Sequence, residues 1–257
     1  MSYDSVPLLE EFARRRKIRY PLLSDPGSAV IRRFGVLNPD FPEGDPAHGV
    51  PFPGTLVTDA RGVVRTKFFE RSYAERRTAA SILVLEGETP VDVASEVRTD
   101  HFLLRLSQSN ASAAAGNRVS LVLDFEMGET KHAYAPGVEG YRPLALHVDP
   151  HPLLTVHEPV FPASRSYFYA PLKETVSVFE GRFRLVQDVT LAGGRQVAER
   201  LKAGDATLAI TGRLDYQVCS DRACFPPASL PLRWTLRLVP LDLERSPEAL
   251  RPKPKER

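Results

Sequence analysis

Between Leu230 and Leu238 every second residue is apolar: Leu230, Leu232, Trp234, Leu236 and Leu238 alternate with Pro231, Arg233, Thr235 and Arg237. Successive side chains of an extended chain point to opposite faces, so this pattern gives a strand with one buried and one solvated face. The same period recurs upstream. Phe102, Leu104 and Leu106 alternate, as do Val119, Leu121, Leu123, Phe125 and Met127; Phe183 and Leu185 follow, then Leu208, Ile210, Leu214, Tyr216 and Val218. Short strands separated by Gly, Pro and Asn turns, with no convincing helix between them, predict an antiparallel β-sandwich over roughly residues 95–241. Twenty-three prolines against 16 glycines agree with a chain rich in rigid turns and edge strands.

Residues 1–86 read differently. Asp4 or Ser5 can cap a helix with Leu8, Leu9 and Phe12 on one face, closed by the basic run of residues 14–17. Cations suit the negative end of the helix dipole, which explains the run without a nucleic-acid contact. Residues 20–24 read as a short buried strand, and Asp25-Pro26 starts a second helix that Gly35 ends. A loop with prolines at 39, 42, 46, 51 and 53 leads to a hairpin of residues 54–59 and 63–69. Ser72 and Glu75 form a capping box before a helix through Ala79, Ile82 and Leu83. This is an α/β order whose first strand has only residues 1–3 to supply it, so the domain is expected to be truncated or to start further upstream. Residues 87–94 read as a linker, and residues 242–257 as a charged disordered tail.

Bulk properties narrow the function. At 257 residues the chain is long enough for two domains, each with its own core. The 34 basic and 32 acidic residues nearly cancel, leaving no electrostatic case for nucleic acid or anionic membrane. No apolar run approaches the roughly 18–20 residues that span a bilayer. The N-terminus lacks a basic stretch followed by an apolar one, so no signal peptide is read in this chain.

Both cysteines, Cys219 and Cys224, lie in Tyr216-Gln-Val-Cys-Ser-Asp-Arg-Ala-Cys-Phe-Pro-Pro227, where one strand-like run ends and another begins. Three readings stand side by side. A reversible dithiol/disulfide is the working one. A structural disulfide fits too, since a hairpin brings such positions within bonding range, but closing so small a loop contributes only about 2 kcal/mol. A zinc site needs four ligands, and two thiols without a nearby His or further Cys fall short. Arg222, between the cysteines, would stabilise a thiolate, and Asp221 would oppose it. His147, His151 and His157 are close in sequence, but Pro150 and Pro152 interrupt the strand, so they read as surface loop histidines. No catalytic triad order, P-loop or nucleotide fingerprint stands out, and no cofactor or metal is expected.

Two resemblances add to this. Residues 2–6, Tyr20-Pro-Leu-Leu-Ser-Asp-Pro-Gly27, Phe34-Gly-Val-Leu-Asn38 and Pro53-Gly-Thr-Leu-Val-Thr-Asp-Ala-Arg-Gly62 look like the second half of a thioredoxin-fold redoxin of the peroxiredoxin type. That family carries its reactive cysteine ahead of this region, and no cysteine precedes position 219, so residues 1–86 cannot perform the family's chemistry as written.

His132-Ala-Tyr-Ala-Pro-Gly137, Gly140-Tyr-Arg-Pro143, Pro171-Leu-Lys-Glu-Thr-Val176, Phe179-Glu-Gly-Arg-Phe183 and the cysteine motif resemble the N-terminal, periplasmic domain of the thiol:disulfide interchange protein DsbD. The resemblance implies an immunoglobulin-like sandwich whose cysteine pair, here Cys219 and Cys224, passes electrons from a membrane-embedded reductant to thioredoxin-like and other periplasmic thiol proteins. It implies a shielding cap tipped by Phe168-Tyr169, and a site lined by Tyr134 and His132, with Tyr216 heading the motif. The cysteine spacing is one residue shorter than in the best-known member and the cap segment is longer. The expected fold is therefore α+β in two domains: a truncated thioredoxin-like domain, then an immunoglobulin-like sandwich. The expected function is thiol–disulfide exchange in the periplasm. The alternatives are a peroxiredoxin- or thioredoxin-like enzyme whose catalytic segment is missing from this chain, and a non-enzymatic binding module with a structural disulfide.

Overall fold

In the computed structural model the first helix, α1 (Val6–Arg16), has Ser5 at its N-cap and a proline in its first turn, where the missing N–H is not needed. The structure describes the chain apart from residues 71–73, 90–91, 170–172, 243, 245–246, 248 and 250–257. Two units divide it: Met1–Glu75 with Asp242–Arg257, and Arg76–Leu241.

In the first unit α1 buries Leu8 and Leu9, and Arg14, Arg15 and Arg16 fill its last turn. The described part of the C-terminal segment meets this turn: Asp242 pairs with Arg16 and Glu244 with Arg15. Most of the predicted disordered tail lies outside the described residues. In α2 (Ala29–Arg33), the Asp25 carboxylate accepts the N–H groups of Ala29 and Ile31 at 3.1 and 2.9 Å, satisfying donors the helix start leaves open. Gly35, at φ +68°, ends it as expected. The strand predicted at residues 20–24 is only a single parallel bridge, Ser2↔Ser24, with Tyr20 and Leu23 exposed. One bridge gives the segment no ladder to lie in. The predicted hairpin forms from β1 (Gly54–Thr58) and β2 (Val64–Phe69).

The second unit begins with β3 (Arg76–Arg77), α3 (Ala79–Leu85), β4 (Asp92–Arg98) and β5 (Phe102–Gln108). Next come β6 (Ser112–Ala113), β7 (Asn117–Met127), β8 (His132–Tyr134), β9 (Ala145–Val148) and β10 (Leu154–Val156). Then follow β11 (Arg165–Tyr169), β12 (Glu174–Glu180), β13 (Arg182–Leu191) and α4 (Gly194–Lys202). The unit closes with β14 (Thr207–Tyr216), β15 (Val218–Cys219) and β16 (Ala228–Leu238).

Three sheets result. The first runs β10-β13-β7-β5-β4, with β3 added along β7; the second runs β6-β16-β14-β9; the third, smaller, runs β11-β12-β8-β15. Leu104, Leu121, Leu123 and Leu185 from the first sheet join Leu208, Ile210, Leu214 and Trp234 from the second in one buried cluster. This is a β-sandwich core, and its members are the alternating residues of the sequence pattern. Trp234, 1% exposed, donates its indole N–H to the Ser107 carbonyl at 3.1 Å, so its one polar atom is satisfied inside the core.

The other face of β7 and β13 is also covered. Val84 of α3 packs on Val122 and Val186, and Arg77 pairs with Asp188 at 2.6 Å, a carboxylate that also accepts the Ser120 hydroxyl. The helix read from sequence as the close of the first domain thus lies on the sandwich. Its cap is Thr78, whose hydroxyl oxygen accepts the Ser81 N–H at 3.1 Å and whose hydroxyl donates to Asn110 at 2.6 Å. Of the predicted capping box, Ser72 lies outside the described residues. Thr78→Ala is expected to cost about 1 kcal/mol, read as a lower urea midpoint. The helix α4 was not foreseen: Gly193, at φ +69°, turns the chain into it, and only Val197 is buried along it.

Candidate redox site

The cysteines sit where the chain changes sheets. After β14 ends at Tyr216, Gln217 carries the backbone into the small sheet, where Val218 pairs with Ala133 and Cys219 with His132. Gln217 pins this crossing: its side-chain N–H donates to the Phe225 carbonyl at 3.1 Å and its oxygen accepts the Arg142 N–H at 3.3 Å. Beyond it lies a tight hairpin. The Ser220 N–H bonds to the Ala223 carbonyl at 2.8 Å and the Phe225 N–H to the Val218 carbonyl at 2.9 Å. These two bonds flank Cys219 and Cys224, which therefore face each other at a non-hydrogen-bonded position, where side chains of opposed strands come closest. Their Cα atoms are 3.9 Å apart and their sulfurs are joined. The Ser220 hydroxyl oxygen accepts the N–H groups of Arg222 and Ala223 at 3.2 Å, which shapes the turn.

The two sulfurs have unequal surroundings. Cys219 is 1% exposed and clusters with Tyr134 and Val178, with Tyr141, Tyr167 and Val176 packed around them. Cys224 is an exposed residue, its Sγ 3.6 Å from the Tyr134 hydroxyl. Tyr134 is buried and stacks on Tyr141 at 4.1 Å between centroids, and the Tyr141 hydroxyl donates to the Glu174 carboxylate. Burial, with Tyr141 and Glu174 adding to it, pushes the Tyr134 hydroxyl well above the usual tyrosine pKa. His132 is also buried. Its ring lies 4.4 Å from that of Tyr167 and 5.6 Å, edge-on, from that of Tyr134. Burial lowers its pKa, against an opposing pull from Glu180.

The structure therefore brings Cys219, Cys224, Tyr134 and His132 together. Phe168 is 61% exposed, and the alternation of β11 sets it on the face opposite Tyr167 and Tyr169, while Tyr167 is the residue packed at Cys219. Tyr216 lies in the sandwich core, edge-on to Phe102 at 5.0 Å, and not in the sulfur pocket. Asp221 and Arg222 are exposed on the hairpin turn. Tyr141, Tyr167 and Glu174 were not singled out from sequence. Tyr167 was open to discovery, because a strand that turns Tyr169 toward a site turns residue 167 the same way. The three neighbouring histidines have separate partners: His147 meets Asp215 at 3.3 Å, His151 accepts the Leu153 N–H at 3.0 Å, and His157 bonds Thr190 at 2.7 Å. Among the described residues no three His, Cys, Asp or Glu side chains gather as metal ligands, and no helix is long and apolar enough to cross a membrane.

The model of the family described as thiol:disulfide interchange protein DsbD, N-terminal, matches residues 100–230, just over half of the chain. The chain belongs to this family. Every cysteine and aromatic of the sulfur pocket falls inside the stretch matched to the DsbD N-terminal family. A second model, of the AhpC/TSA family, matches residues 1–67. Among solved structures, the N-terminal periplasmic domain of ScsB from Proteus mirabilis is similar at 12% identity and a TM-score of 0.40, over 55% of this chain and 51% of that one. The chain thus spans about half the length of that ScsB domain. The reduced form of the Neisseria meningitidis DsbD N-terminal domain is similar at 16% identity and a TM-score of 0.34, over 53% of this chain and 90% of that one. None of the curated proteins matches the chain.

Proposed function

We propose that the chain transfers electrons between thiol proteins outside the cytoplasm, by reversible opening of the Cys219–Cys224 disulfide on an immunoglobulin-like sandwich. The observation that carries this reading is the unequal exposure of the pair: Cys219 is buried and Cys224 is exposed on a hairpin turn. A partner thiolate reaches Cys224 first and forms a mixed disulfide, and Cys219 leaves as the thiolate. A second partner thiol then resolves the mixed disulfide, leaving the chain as a dithiol and the partner oxidised. The reverse sequence reduces an acceptor. Membership of the DsbD N-terminal family supports a membrane-embedded reductant on one side and thioredoxin-like acceptors on the other. In place of the boundaries expected from sequence (1–86, 87–94 and 95–241), we assign the exchange domain residues 76–241, since β3 and β4 pair with sandwich strands and α3 packs on them, and the partial redoxin domain the residues before it.

The strand β11 shields Cys219, with Tyr167 and Tyr169 turned inward, and Phe168 is an outward contact for an arriving partner. Asp221 and Arg222 tune the thiols from the turn. Tyr167→Ala is expected to speed reaction of the reduced protein with a small disulfide by about tenfold, by opening the wall on Cys219. Phe168→Ala should leave that rate nearly unchanged and slow reaction with a protein partner; both are read by stopped-flow tryptophan fluorescence.

The function itself is tested by mixing the reduced chain with an oxidised thioredoxin-fold protein. Second-order transfer of two electrons is expected, and a chain that stays reduced beside an oxidised acceptor would contradict the reading. The AhpC/TSA match favours one second reading, in which residues 1–67 belong to a peroxide-reducing redoxin whose reactive cysteine is not in this chain and whose electron donor is the sandwich.

A further inference from the structure

Cys219 and His132 are directly opposed on β15 and β8. In such a pair both side chains project from the same face of the sheet, with Cβ atoms about 4.5–5.5 Å apart. Both residues are nearly inaccessible, at 1% and 3%. They share walls: Tyr134 and Tyr167 pack at Cys219, and the same two rings contact the imidazole.

This placement bears on the step that opens the disulfide. When Cys224 is attacked, Cys219 is released as a thiolate into a buried aromatic pocket, where an uncompensated charge is strongly disfavoured. A leaving thiolate that is stabilised leaves faster. Tyr134, with its pKa pushed up, is a poor source of a proton. The histidine can instead take up a proton and supply the countercharge. Around it, β12 contributes Glu180, opposed to His132 and held at 2.9 Å by Arg165 of β11. Tyr134 on its own strand and Tyr167 on β11 face the ring, while the preceding Lys131 is turned away to the Asp100 carbonyl at 2.5 Å. Among the described residues Glu180 is the charge that acts on the ring, and it does so with the disulfide closed while paired to Arg165, so a new negative charge on Cys219 is what changes when the bond opens.

We propose that His132 takes up a proton as the disulfide opens, so that the reduced protein holds a Cys219 thiolate paired with a His132 imidazolium. The pair deepens the exchange reading given above and rests on it for its role. The balance is complete. A partner thiol loses its proton to solvent and its sulfur bonds to Cys224 Sγ; the Sγ–Sγ bond breaks with its electron pair left on Cys219; the imidazole takes a proton from solvent. The second partner thiol then displaces Cys224, which takes the other proton. Two electrons and two protons leave the partner dithiol and two of each arrive, one proton resting on His132 instead of Cys219.

The test is a nuclear magnetic resonance titration of the His132 ring in the wild-type protein, oxidised and then reduced with a phosphine. Phosphine reduction does not depend on protein partners, so the result is read whether or not the chain exchanges electrons with thioredoxin-fold proteins. In the oxidised protein the ring should titrate below the ordinary histidine value near 6.5, and in the reduced protein at least one unit higher, a tenfold change in proton affinity. The matching readout is thiolate absorbance against pH: His132→Gln should move the lower thiol midpoint upward by a unit or more. The same variant should slow reduction by dithiothreitol about tenfold at pH 6, with the gap closing as pH rises past the thiol range. A ring that titrates at the same pH in both redox states overturns the proposal and leaves the exchange function standing. A normal ring shift in a chain that passes no electrons to a protein disulfide keeps the ion pair and removes the exchange function.

Discussion

Cys224→Ser is expected to reduce exchange to background, a loss of roughly a thousandfold or more, since it removes the sulfur that partners reach. Cys219→Ser should behave differently. It leaves the exposed thiol free to attack a partner disulfide but removes the sulfur that would expel the partner, so a mixed disulfide at Cys224 accumulates and turnover stops. Non-reducing electrophoresis and mass spectrometry of the trapped adduct separate the two variants. The asymmetry follows from burial: Cys219 is 1% exposed behind Tyr134 and Tyr167, while Cys224 is on the solvent side of the hairpin. Equal trapping by the two variants would show that the resting exposure does not direct the attack.

The second large effect is on stability. Trp234 is 1% exposed, sits opposite Ile210 in the β14–β16 ladder and bonds the Ser107 carbonyl of β5 across the sandwich. Trp234→Ala should destabilise the sandwich by about 3–5 kcal/mol through lost burial and the cavity left behind. Trp234→Phe refills much of the volume but leaves a carbonyl without its donor, and should cost about 1–3 kcal/mol. Urea unfolding followed by circular dichroism measures both. The disulfide should survive in both variants, because the hairpin bonds that align Cys219 and Cys224 do not involve the indole.

The sandwich was readable because its strands are long enough for period two to declare itself: the alternation from Leu230 to Leu238 became β16, and that from Val119 to Met127 lies in β7. Where both faces are buried the pattern blurs. In β7 and β13 the polar Ser120, Asp188 and Thr190 lie buried beneath Arg77, α3 and neighbouring loops, and nothing local in the sequence announces that cover. The site was half legible. Cys219 and Cys224 stand in one motif, Tyr134 and His132 are reached through the family resemblance, and the register that opposes His132 to Cys219 is seen in the structure. Tyr141 and Glu174 come from distant segments that only the small sheet and its loops bring together. Phe168 and Tyr216 show the limit of position without orientation: one residue along a strand reverses the face, and the last residue of β14 still belongs to the core.

The redox potential of the pair tests the central claim most directly. Equilibrating the chain with a graded series of reduced and oxidised glutathione, and measuring the Cys219–Cys224 disulfide by thiol trapping, should give a midpoint above about −300 mV, within reach of cellular thiol proteins. A midpoint far below that value would make the bond a structural one and contradict the account.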